Sequence, residues 1–409
     1  MSSKKKTILI IGTADTKGEE IAYMKNIIES MELQCLVVDI GLSGKPLFVP
    51  DVTSDQVAAA ASSTVQDIRA IAAEGRYEVA CEVLARGASK IVADELYMTG
   101  AIDGVLAIGG SMGTALTLMS LRNLPVGFPK VLISTVALSD YVHPYFVKSD
   151  IILVQPVSDF FGINQWSKRD LKRAALAIAS VVKEEETLEG GNWVGITGIG
   201  WLGYTPHIKK GLEAKGLKVT VSHSVSMQGG ILEQLIRQGV VKGMLDLCPF
   251  EITHEIAGGA CHSQNRMEAA VEMGIPHVVG PGALGVFTMK PMDMPKFAAQ
   301  GRFTIEHNEI LGTAKVSMEE MVETAKVMAS RLNKSKGPVA VVIPKQGFYV
   351  YDSPGKMYYD PEGRKAFIEV MRDNLRSDIE FIVLDCHIMD PEYAEKALEV
   401  FLRLSEGVI

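Results

Sequence analysis

The chain has 409 residues, of which 47% are hydrophobic and 22% charged, and its formal net charge is -8. This composition excludes disordered and fibrous proteins, and the length exceeds what one hydrophobic core usually supports. The modest negative charge, without a long run of Lys or Arg, argues against a nucleic-acid partner, and no apolar stretch approaches the about 20 residues of a membrane helix.

The five cysteines are scattered along the chain without a CxxC pair. Such usage is typical of free thiols in a reducing compartment. We therefore expect a soluble, cytoplasmic protein of two domains, without disulfides.

Strands alternate with helices along the first half of the chain. The predicted strands span residues 7–11, 34–40, 102–108, 130–135 and 151–154. Apolar residues at helical spacing predict one or two helices within 67–98 and a further helix over 168–187. This alternation is typical of a parallel sheet covered by helices.

The polar, glycine-bearing segment 184–191 predicts the boundary between a domain of residues 1–188 and a domain of residues 189–409. After it the pattern restarts, with predicted strands at 193–197, 217–222, 240–245, 276–279, 338–343 and 380–384. Predicted helices follow at 229–238, 264–273, 317–333, 361–374 and 391–404. The sequence predicts an α/β fold of two Rossmann-like parallel-sheet domains that face a central cleft.

The segment GTADTKG at 12–18 follows the first strand and precedes a helix, so free amides and the helix dipole meet there. Hydroxyls and a lysine suit phosphate, and an aspartate suits a ribose or a magnesium ion. The candidate ligands are Gly12, Thr13, Asp15, Thr16 and Lys17. The GxxxxGK[ST] pattern of a P-loop is missing, and an ordinary capping turn is the alternative.

A second glycine-rich loop, GGSMGT at 109–114, follows the third strand and opens another helix. Consecutive glycines let the backbone approach an anion closely. The candidate ligands are Gly109, Gly110, Ser111, Gly113 and Thr114, with Thr135 from the next strand end. Asp39 closes the second strand, where it could bind a ribose or cap the strand. The two loops together predict a nucleotide site on the first domain.

In the second domain, GIGWLG at 198–203 fits GxGxxG formally and lies between a strand and a helix. The next strand ends at Ser222 and His223 without a carboxylate for a ribose, and the bulky Trp201 opposes a close approach. A dinucleotide site there is a minor alternative. Gly229 and Gly230, before the next helix, could bind a phosphate or carboxylate group of a substrate.

The candidates for acid or base chemistry are Asp246, Glu251 and His254, which lie between a strand end and a helix. The alternative is that they cap helices and face solvent. His254 is not part of HExxH, and we predict no metal site there. Arg266 and His307, also near predicted strand ends, are further candidates for substrate binding.

Several segments carry a resemblance: GTADTKGEE, AIGGSMGTAL, SDYVHPYFVKSDIILVQPVSDFFGINQWSKRDLKRAA, EITHEIAGGACHSQNRMEAAVEMGIPHVVGPGAL and IEHNEI. In this order the sequence resembles the family of the tomato mosaic virus resistance protein over nearly the whole chain. The resemblance implies two Rossmann-like subdomains, ATP with Mg²⁺ held by the two glycine loops of the first, and self-association into at least dimers. It implies no reaction.

The leading hypothesis is an ATP-dependent or ATP-regulated enzyme of small-molecule metabolism, kinase- or ligase-like, with a polar anionic substrate on the second domain. One alternative is a non-catalytic, ATP-binding regulatory protein. A second alternative is an NAD-dependent oxidoreductase that uses the loop at 198–203.

Overall fold

The computed structural model describes residues 4–142, 147, 149–184, 190–200, 202–261, 263 and 265–409. The chain divides into two compact units, residues 1–188 and 189–409, and each has its own central sheet. Trp201 and, within the segments that carry the resemblance, Pro144, Tyr145 and His262 lie outside the described residues, as does most of the polar joint, at 185–189.

The amino-terminal unit contains a five-stranded parallel sheet with helices on both faces. Its strands are β1 (Thr7–Gly12), β2 (Gln34–Asp39), β3 (Gly104–Gly109), β4 (Lys130–Ser134) and β5 (Ile152–Val154). Its helices are α1 (Gly18–Ser30), α2 (Ser54–Ala60), α3 (Val65–Ala73), α4 (Tyr77–Ser89), α5 (Ser111–Ser120) and α6 (Gln165–Glu184). A π-helix, Lys90–Tyr97, continues α4. The strands predicted for this half are confirmed.

The strand order of this sheet is β2-β1-β3-β4-β5, and all neighbours are parallel. Every residue of β1 and β3 is buried, as expected of central strands with helices on both faces. The chain order reverses between β1 and β3, so this unit is a doubly wound, Rossmann-like domain with its switch point between these two strands.

The carboxy-terminal unit contains a six-stranded parallel sheet and a small antiparallel one. Its strands are β6 (Trp193–Gly198), β7 (Lys218–His223), β8 (Val241–Asp246), β9 (His277–Val279), β10 (Val286–Met289), β11 (Thr304–Asn308), β12 (Leu311–Lys315), β13 (Val339–Pro344) and β14 (Glu380–Leu384). Its helices are α7 (Tyr204–Glu213), α8 (Gln228–Arg237), α9 (Phe250–Ala257), α10 (Glu268–Met273), α11 (Met294–Ala298), α12 (Met318–Leu332), α13 (Pro361–Asn374) and α14 (Pro391–Ser405), with a 3₁₀ turn at Pro291–Asp293.

The large sheet has the order β14-β13-β9-β8-β6-β7, which reverses between β6 and β8. This is a second doubly wound, Rossmann-like arrangement, as the sequence predicts. Between β9 and β13 the chain forms a three-stranded antiparallel sheet, β10-β12-β11. The sequence analysis does not predict this insertion, because its strands are short and partly polar.

Several helices begin where a side chain caps the first turn. Thr53 with Gln56 and Ser317 with Glu320 form reciprocal capping boxes at the starts of α2 and α12, and such caps satisfy amides that lack a partner inside the helix. None of the helices in the described residues combines the length and the apolar character that a bilayer crossing requires.

Candidate functional site

The two predicted glycine loops of the amino-terminal unit follow β1 and β3, the strands between which the order reverses. In open parallel sheets, ligands bind outside the carboxyl ends of the strands at this position. Gly12 allows the close pairing, because a Cβ atom there would lie 2.6 Å from Cγ2 of Ile108. The topology therefore brings both loops to the place where a ligand site is expected.

The loop after β1 is a tight turn that is bonded to itself and to the loop after β5. The amide of Lys17 donates to the carbonyl of Thr13 at 2.8 Å, and the hydroxyls of Thr13 and Thr16 are 2.7 Å apart. Nζ of Lys17 donates to the carbonyl of Phe160 at 2.5 Å and lies 4.9 Å from the ring centre of Phe161. The predicted phosphate-binding lysine is thus engaged with the chain itself.

The two aspartates predicted for the nucleotide brace neighbouring loops. Oδ1 of Asp39 accepts the amides of Ala14 at 2.9 Å and Gly41 at 2.8 Å, and burial raises the pKa of this carboxyl against those hydrogen bonds. Oδ2 of Asp15 accepts both amides of residues 43–44, at 2.6 and 2.9 Å. These contacts support a structural role for Asp39 rather than a contact with ribose.

The start of α1 already carries negative charge. Glu19 and Glu20 lie in its first turn, and the buried Glu20 accepts the amide of Gly162 through Oε1 at 3.0 Å. Carboxylates at a helix N-terminus satisfy the positive end of the dipole. The loop at 12–17 is therefore less suited to a phosphate than its sequence suggests.

The start of α5 has the opposite character. Gly110 is its N-cap, in an extended conformation and without a capping side chain, and the first turn holds no acidic residue. The helical bonding begins with the amide of Thr114, which donates to the carbonyl of Gly110 at 2.8 Å. The amides of residues 111–113 precede that bond and belong to the helix end that attracts anions.

Gly109 is required by the turn that aims these amides. A Cβ atom at Gly109 would lie 2.4 Å from the amide nitrogen of Thr114, a distance that excludes every side chain. The hydroxyl of Thr114 is buried and bonded to that of Ser134 at 2.6 Å, so Thr114 anchors α5 to β4. Oγ1 of Thr135 lies 3.9 Å from the Cβ position of Gly110, within the surroundings of the helix start.

A cavity of 180 Å³ lies beside the start of α5. It is lined by Ser111, Thr114, Ala115, Leu118, Met119, Val136, Tyr141 and Val142. The lining is mainly apolar, and the Tyr141 ring is exposed at its edge. The apolar cavity thus lies next to a helix end that has no capping side chain and no acidic residue in its first turn.

Magnesium would find little protein ligation here. Oδ1 of Asp15 is a buried carboxylate oxygen without a hydrogen-bond partner, and it fits one ligand position of a hard cation. The described residues contain no group of three or more His, Cys, Asp or Glu side chains that could hold a metal. Magnesium at this site would have to be held mainly by phosphate oxygens and water.

In the carboxy-terminal unit, a buried arginine lies among three buried carboxylates. The Arg266 guanidinium is 2.6 Å from Asp246, 2.7 Å from Glu233 and 3.1 Å from Glu251, and all four residues are almost fully buried. Thr197 donates a further hydrogen bond to Asp246 at 2.8 Å. We call Asp246, Glu233, Glu251 and Arg266 the buried charge cluster.

The pKa values in the buried charge cluster move in opposite directions. Burial by itself would raise the pKa of Asp246, but the attraction of Arg266 prevails and holds that pKa at about 2. Burial raises the pKa of Glu251 to about 7, although Arg266 opposes the shift. Neither carboxylate lines a described cavity, so their predicted catalytic role stays a prediction and their burial favours a structural one.

His254 is a core histidine with both ring nitrogens in use. Nδ1 lies 2.9 Å from the carbonyl of Phe250, so Nδ1 carries the proton. Nε2 accepts the amide of Thr288 at 2.9 Å and is 2.8 Å from its hydroxyl. The ring ties α9 to β10 in its neutral form. These contacts favour a structural role for His254, and its predicted catalytic role stays a prediction.

The carboxylate that lies next to Gly229 is a side chain of the protein itself, not a group of a substrate. A Cβ atom at Gly229 would lie 1.9 Å from Oε1 of Glu251 and 2.7 Å from Nε of Arg266. The glycine therefore leaves room for the buried charge cluster at the start of α8. His307, which the sequence also predicts to bind substrate, lines a cavity of 260 Å³, and no residue of the buried charge cluster is among the lining residues of that cavity.

The raised pKa of Glu251 predicts a pH-dependent stability. Between its ordinary value of 4.5 and about 7, the folded chain holds a proton that the unfolded chain has released. The stability that this group contributes is therefore fully present below pH 4.5 and is lost as the pH rises to about 7. The total loss in the free energy of unfolding is about 3 kcal/mol. Asp246 acts only at lower pH, between about 2 and 3.8.

Glu251→Gln should remove this part of the pH dependence. We expect the free energy of unfolding in urea, measured at pH 5 and pH 8, to fall less with pH in the variant than in the unmodified protein. Glu213→Gln, at an exposed residue of α7, is the control and should behave like the unmodified protein. Equal slopes in all three proteins would show that Glu251 does not carry a raised pKa.

Comparisons with known proteins place both units in one group. Residues 6–187 match the N-terminal domain, and residues 192–405 the C-terminal domain, of an uncharacterised protein family, UPF0261. A UPF0261 protein of Clostridium tetani is 33% identical, and the match covers 98% of this chain and 99% of that protein. A UPF0261 protein of Brucella suis is 32% identical over 98% of this chain and 96% of its own length.

The resemblance to the plant resistance protein is also confirmed. The ToMV resistance protein Tm-1 of Solanum lycopersicum is 32% identical over 97% of this chain. The match covers 56% of the plant protein, so the comparison carries no information about the remaining part of that protein.

Proposed function

The chain belongs to the UPF0261 family, and from that premise we propose that its amino-terminal unit binds ATP, with the phosphates on the first amides of α5. The observation that carries the proposal is the uncapped start of this helix. Gly110 supplies no capping side chain, and the first turn contains no carboxylate. A polyphosphate is the kind of ligand that satisfies such a helix end.

The position of this helix end supports the proposal independently. α5 follows β3, which pairs with β1 at the point where the strand order reverses. Hydroxyls of Ser111 and Thr135 lie at the same helix start and can donate to phosphate oxygens. The apolar cavity beside Ser111 would take the base, with the exposed Tyr141 ring available for stacking.

The proposal shifts the main phosphate contact from the first glycine loop to the second. Both loops belong to the ligand site that the sequence predicts. Glu19 and Glu20 give the start of α1 a negative charge, whereas α5 has none, and a nucleotide phosphate avoids like charge. Magnesium, when bound with ATP, would neutralise phosphate charge, and Oδ1 of Asp15 is the protein atom best suited to contact it.

ATP binding is common to two hypotheses about activity. In one the protein is an ATP-dependent, kinase- or ligase-like enzyme of small-molecule metabolism, and in the other ATP regulates a non-catalytic protein. Hydroxyls and amides at α5 hold a phosphate in either case. We also propose that the chain self-associates and that its carboxy-terminal unit binds a polar anionic substrate.

Ligand-dependent thermal stability tests ATP binding directly. At a hundredfold its Kd, ATP is expected to stabilise the amino-terminal unit by about 2.7 kcal/mol, which corresponds to a rise in Tm of about 5–11 °C. ADP should act more weakly, because it offers one phosphate fewer. Stabilisation by NAD and not by ATP would contradict the proposal and favour the oxidoreductase alternative.

Turnover separates the two hypotheses about activity. Release of phosphate from ATP that accelerates with a metabolite would favour the enzyme. Saturable binding without turnover across a broad metabolite panel would favour the regulatory protein.

A further inference from the structure

A second cavity lies in the carboxy-terminal unit, at the carboxyl edge of its large sheet. It measures 260 Å³ and is lined by Ile199, Gly200, His223, Val225, Phe250, Val286, Thr288, His307, Asn308, Leu311, Thr313 and Tyr349. Residues 199–200 follow β6 and Phe250 follows β8. These are the two strands between which the strand order reverses, so this cavity also lies where ligands bind in such sheets.

The antiparallel sheet encloses the cavity from the other side. Its three strands β10, β11 and β12 contribute Val286, Thr288, His307, Asn308, Leu311 and Thr313 to the lining. The parallel sheet itself does not require the insertion between β9 and β13, which encloses the switch point. The insertion turns an open strand edge into a pocket.

Two lining side chains keep hydrogen-bond donors for a ligand. Nδ1 of His223 accepts the amide of Val225 at 3.3 Å, so the neutral ring carries its proton on Nε2. Oδ1 of Asn308 accepts the amide of Ile310 at 3.0 Å, which leaves the NH₂ group of Asn308 for a partner. In both residues the acceptor serves the chain and the donor is left.

The two threonine hydroxyls of the lining are hydrogen-bonded within the protein. The Thr288 hydroxyl is 2.8 Å from Nε2 of His254, which acts as an acceptor because its Nδ1 carries the proton. Oγ1 of Thr313 lies 2.6 Å from the Tyr358 hydroxyl and donates to the carbonyl of Ile305 at 3.3 Å. The polar capacity that remains for a ligand therefore consists mainly of donors.

A donor-lined, otherwise apolar cavity selects its ligand by chemistry. The lining contains two imidazoles and an amide but no Asp or Glu, and the remaining lining residues are mostly aliphatic or aromatic. Its volume is below the about 300–1,000 Å³ of typical ligand sites. We propose that this cavity binds a small monocarboxylate with a compact apolar body, the carboxylate accepting hydrogen bonds from His223 and Asn308.

The inference names a place for the anionic substrate of the proposed function, but it does not depend on nucleotide binding. None of the lining residues belongs to the amino-terminal unit. The two proposals can therefore fail separately.

Benzoate and its neutral analogue benzamide are the probes, measured by ligand-observed NMR on the full chain. We expect benzoate to bind at millimolar concentration and benzamide at least about tenfold more weakly, since a charged acceptor forms the stronger hydrogen bonds. Asn308→Asp keeps the oxygen that accepts the amide of Ile310 and replaces the donor by a second acceptor. It should reduce benzoate binding at least about tenfold.

Two further variants complete the test. Asn192→Asp, at an exposed residue that precedes β6, adds the same charge at the opposite end of the sheet and should bind benzoate normally. Gly200→Phe adds a ring at a residue that lines the cavity, where a Cβ atom has room because it meets nothing within 4 Å, and it should abolish benzoate binding.

Equal benzoate binding by Gly200→Phe and the unmodified protein would overturn the inference. It would also be overturned if the unmodified protein bound no benzoate at concentrations up to about 10 mM, roughly the weakest useful affinity. ATP affinity should be the same in Gly200→Phe and the unmodified protein. In the unmodified protein, ATP binding without benzoate binding would contradict the cavity proposal alone, and benzoate binding without ATP binding would contradict the nucleotide proposal alone.

Discussion

Replacing Arg266 with methionine is expected to destabilise the carboxy-terminal unit by at least about 3–5 kcal/mol, because the buried carboxylates then lose their counter-ion. Arg266 lies 2.6–3.1 Å from Asp246, Glu233 and Glu251. Methionine keeps much of the volume of the side chain, so the effect is mainly electrostatic. Stability at neutral pH should fall further than any loss of packing would explain.

Urea unfolding, followed by the fluorescence of the tryptophans, of which Trp193 lies in β6, measures this effect. The control is Arg237→Met, which removes an exposed ion pair with Glu272 and should change the free energy of unfolding by less than about 1 kcal/mol. Equal stabilities of the two variants would contradict the account of the buried charge cluster. Without Arg266, burial should raise the pKa of the three carboxylates, which are then protonated and uncharged at acid pH. The Arg266→Met protein should therefore regain stability as the pH falls.

Gly110→Asp is expected to have opposite effects on stability and on ATP binding. Gly110 is the N-cap of α5, with φ -80° and ψ -159°, and aspartate is among the best residues for that position. Its carboxylate would accept amides at 112–113 and lie at the positive end of the helix dipole, which stabilises α5 by about 0.3–1 kcal/mol. The same carboxylate would occupy the proposed phosphate position and repel ATP.

We expect Gly110→Asp to weaken ATP binding by roughly two orders of magnitude, since two hydrogen bonds to a charged group are lost. Isothermal titration calorimetry measures the affinity, and thermal unfolding measures the stability. Gly190→Asp is the matched control, because Gly190 is exposed and a Cβ atom there meets nothing within 4 Å. Unchanged ATP affinity in Gly110→Asp would exclude α5 as the phosphate site.

The strands of the parallel sheets and the glycine-rich turns could be predicted from local sequence. The uninterrupted apolar run of β1 and the glycines at 109–110 carry their own signal, because a buried strand and a tight turn depend on neighbouring residues. The antiparallel sheet has a weaker signal in the sequence. β11 is largely exposed and polar, and its pairing with β12 shows only in the folded chain.

The assignment of roles within the loops depends on contacts between distant residues. The contact that fixes Glu20 comes from Gly162, 142 positions away, and the partner of His254 is Thr288, 34 positions away. Spacing along the chain gives no sign of either. The prediction that an anion lies at Gly229 had a physical basis, but the nearest carboxylate is Glu251 of the same chain.

A crystal structure of the full chain with ATP and Mg²⁺ would show whether α5 binds the phosphates. We expect phosphate oxygens within hydrogen-bonding distance of the amides of residues 111–113, and the base in the cavity beside Ser111 and Tyr141. ATP bound elsewhere on the chain, with the start of α5 in contact with water alone, would contradict the proposal.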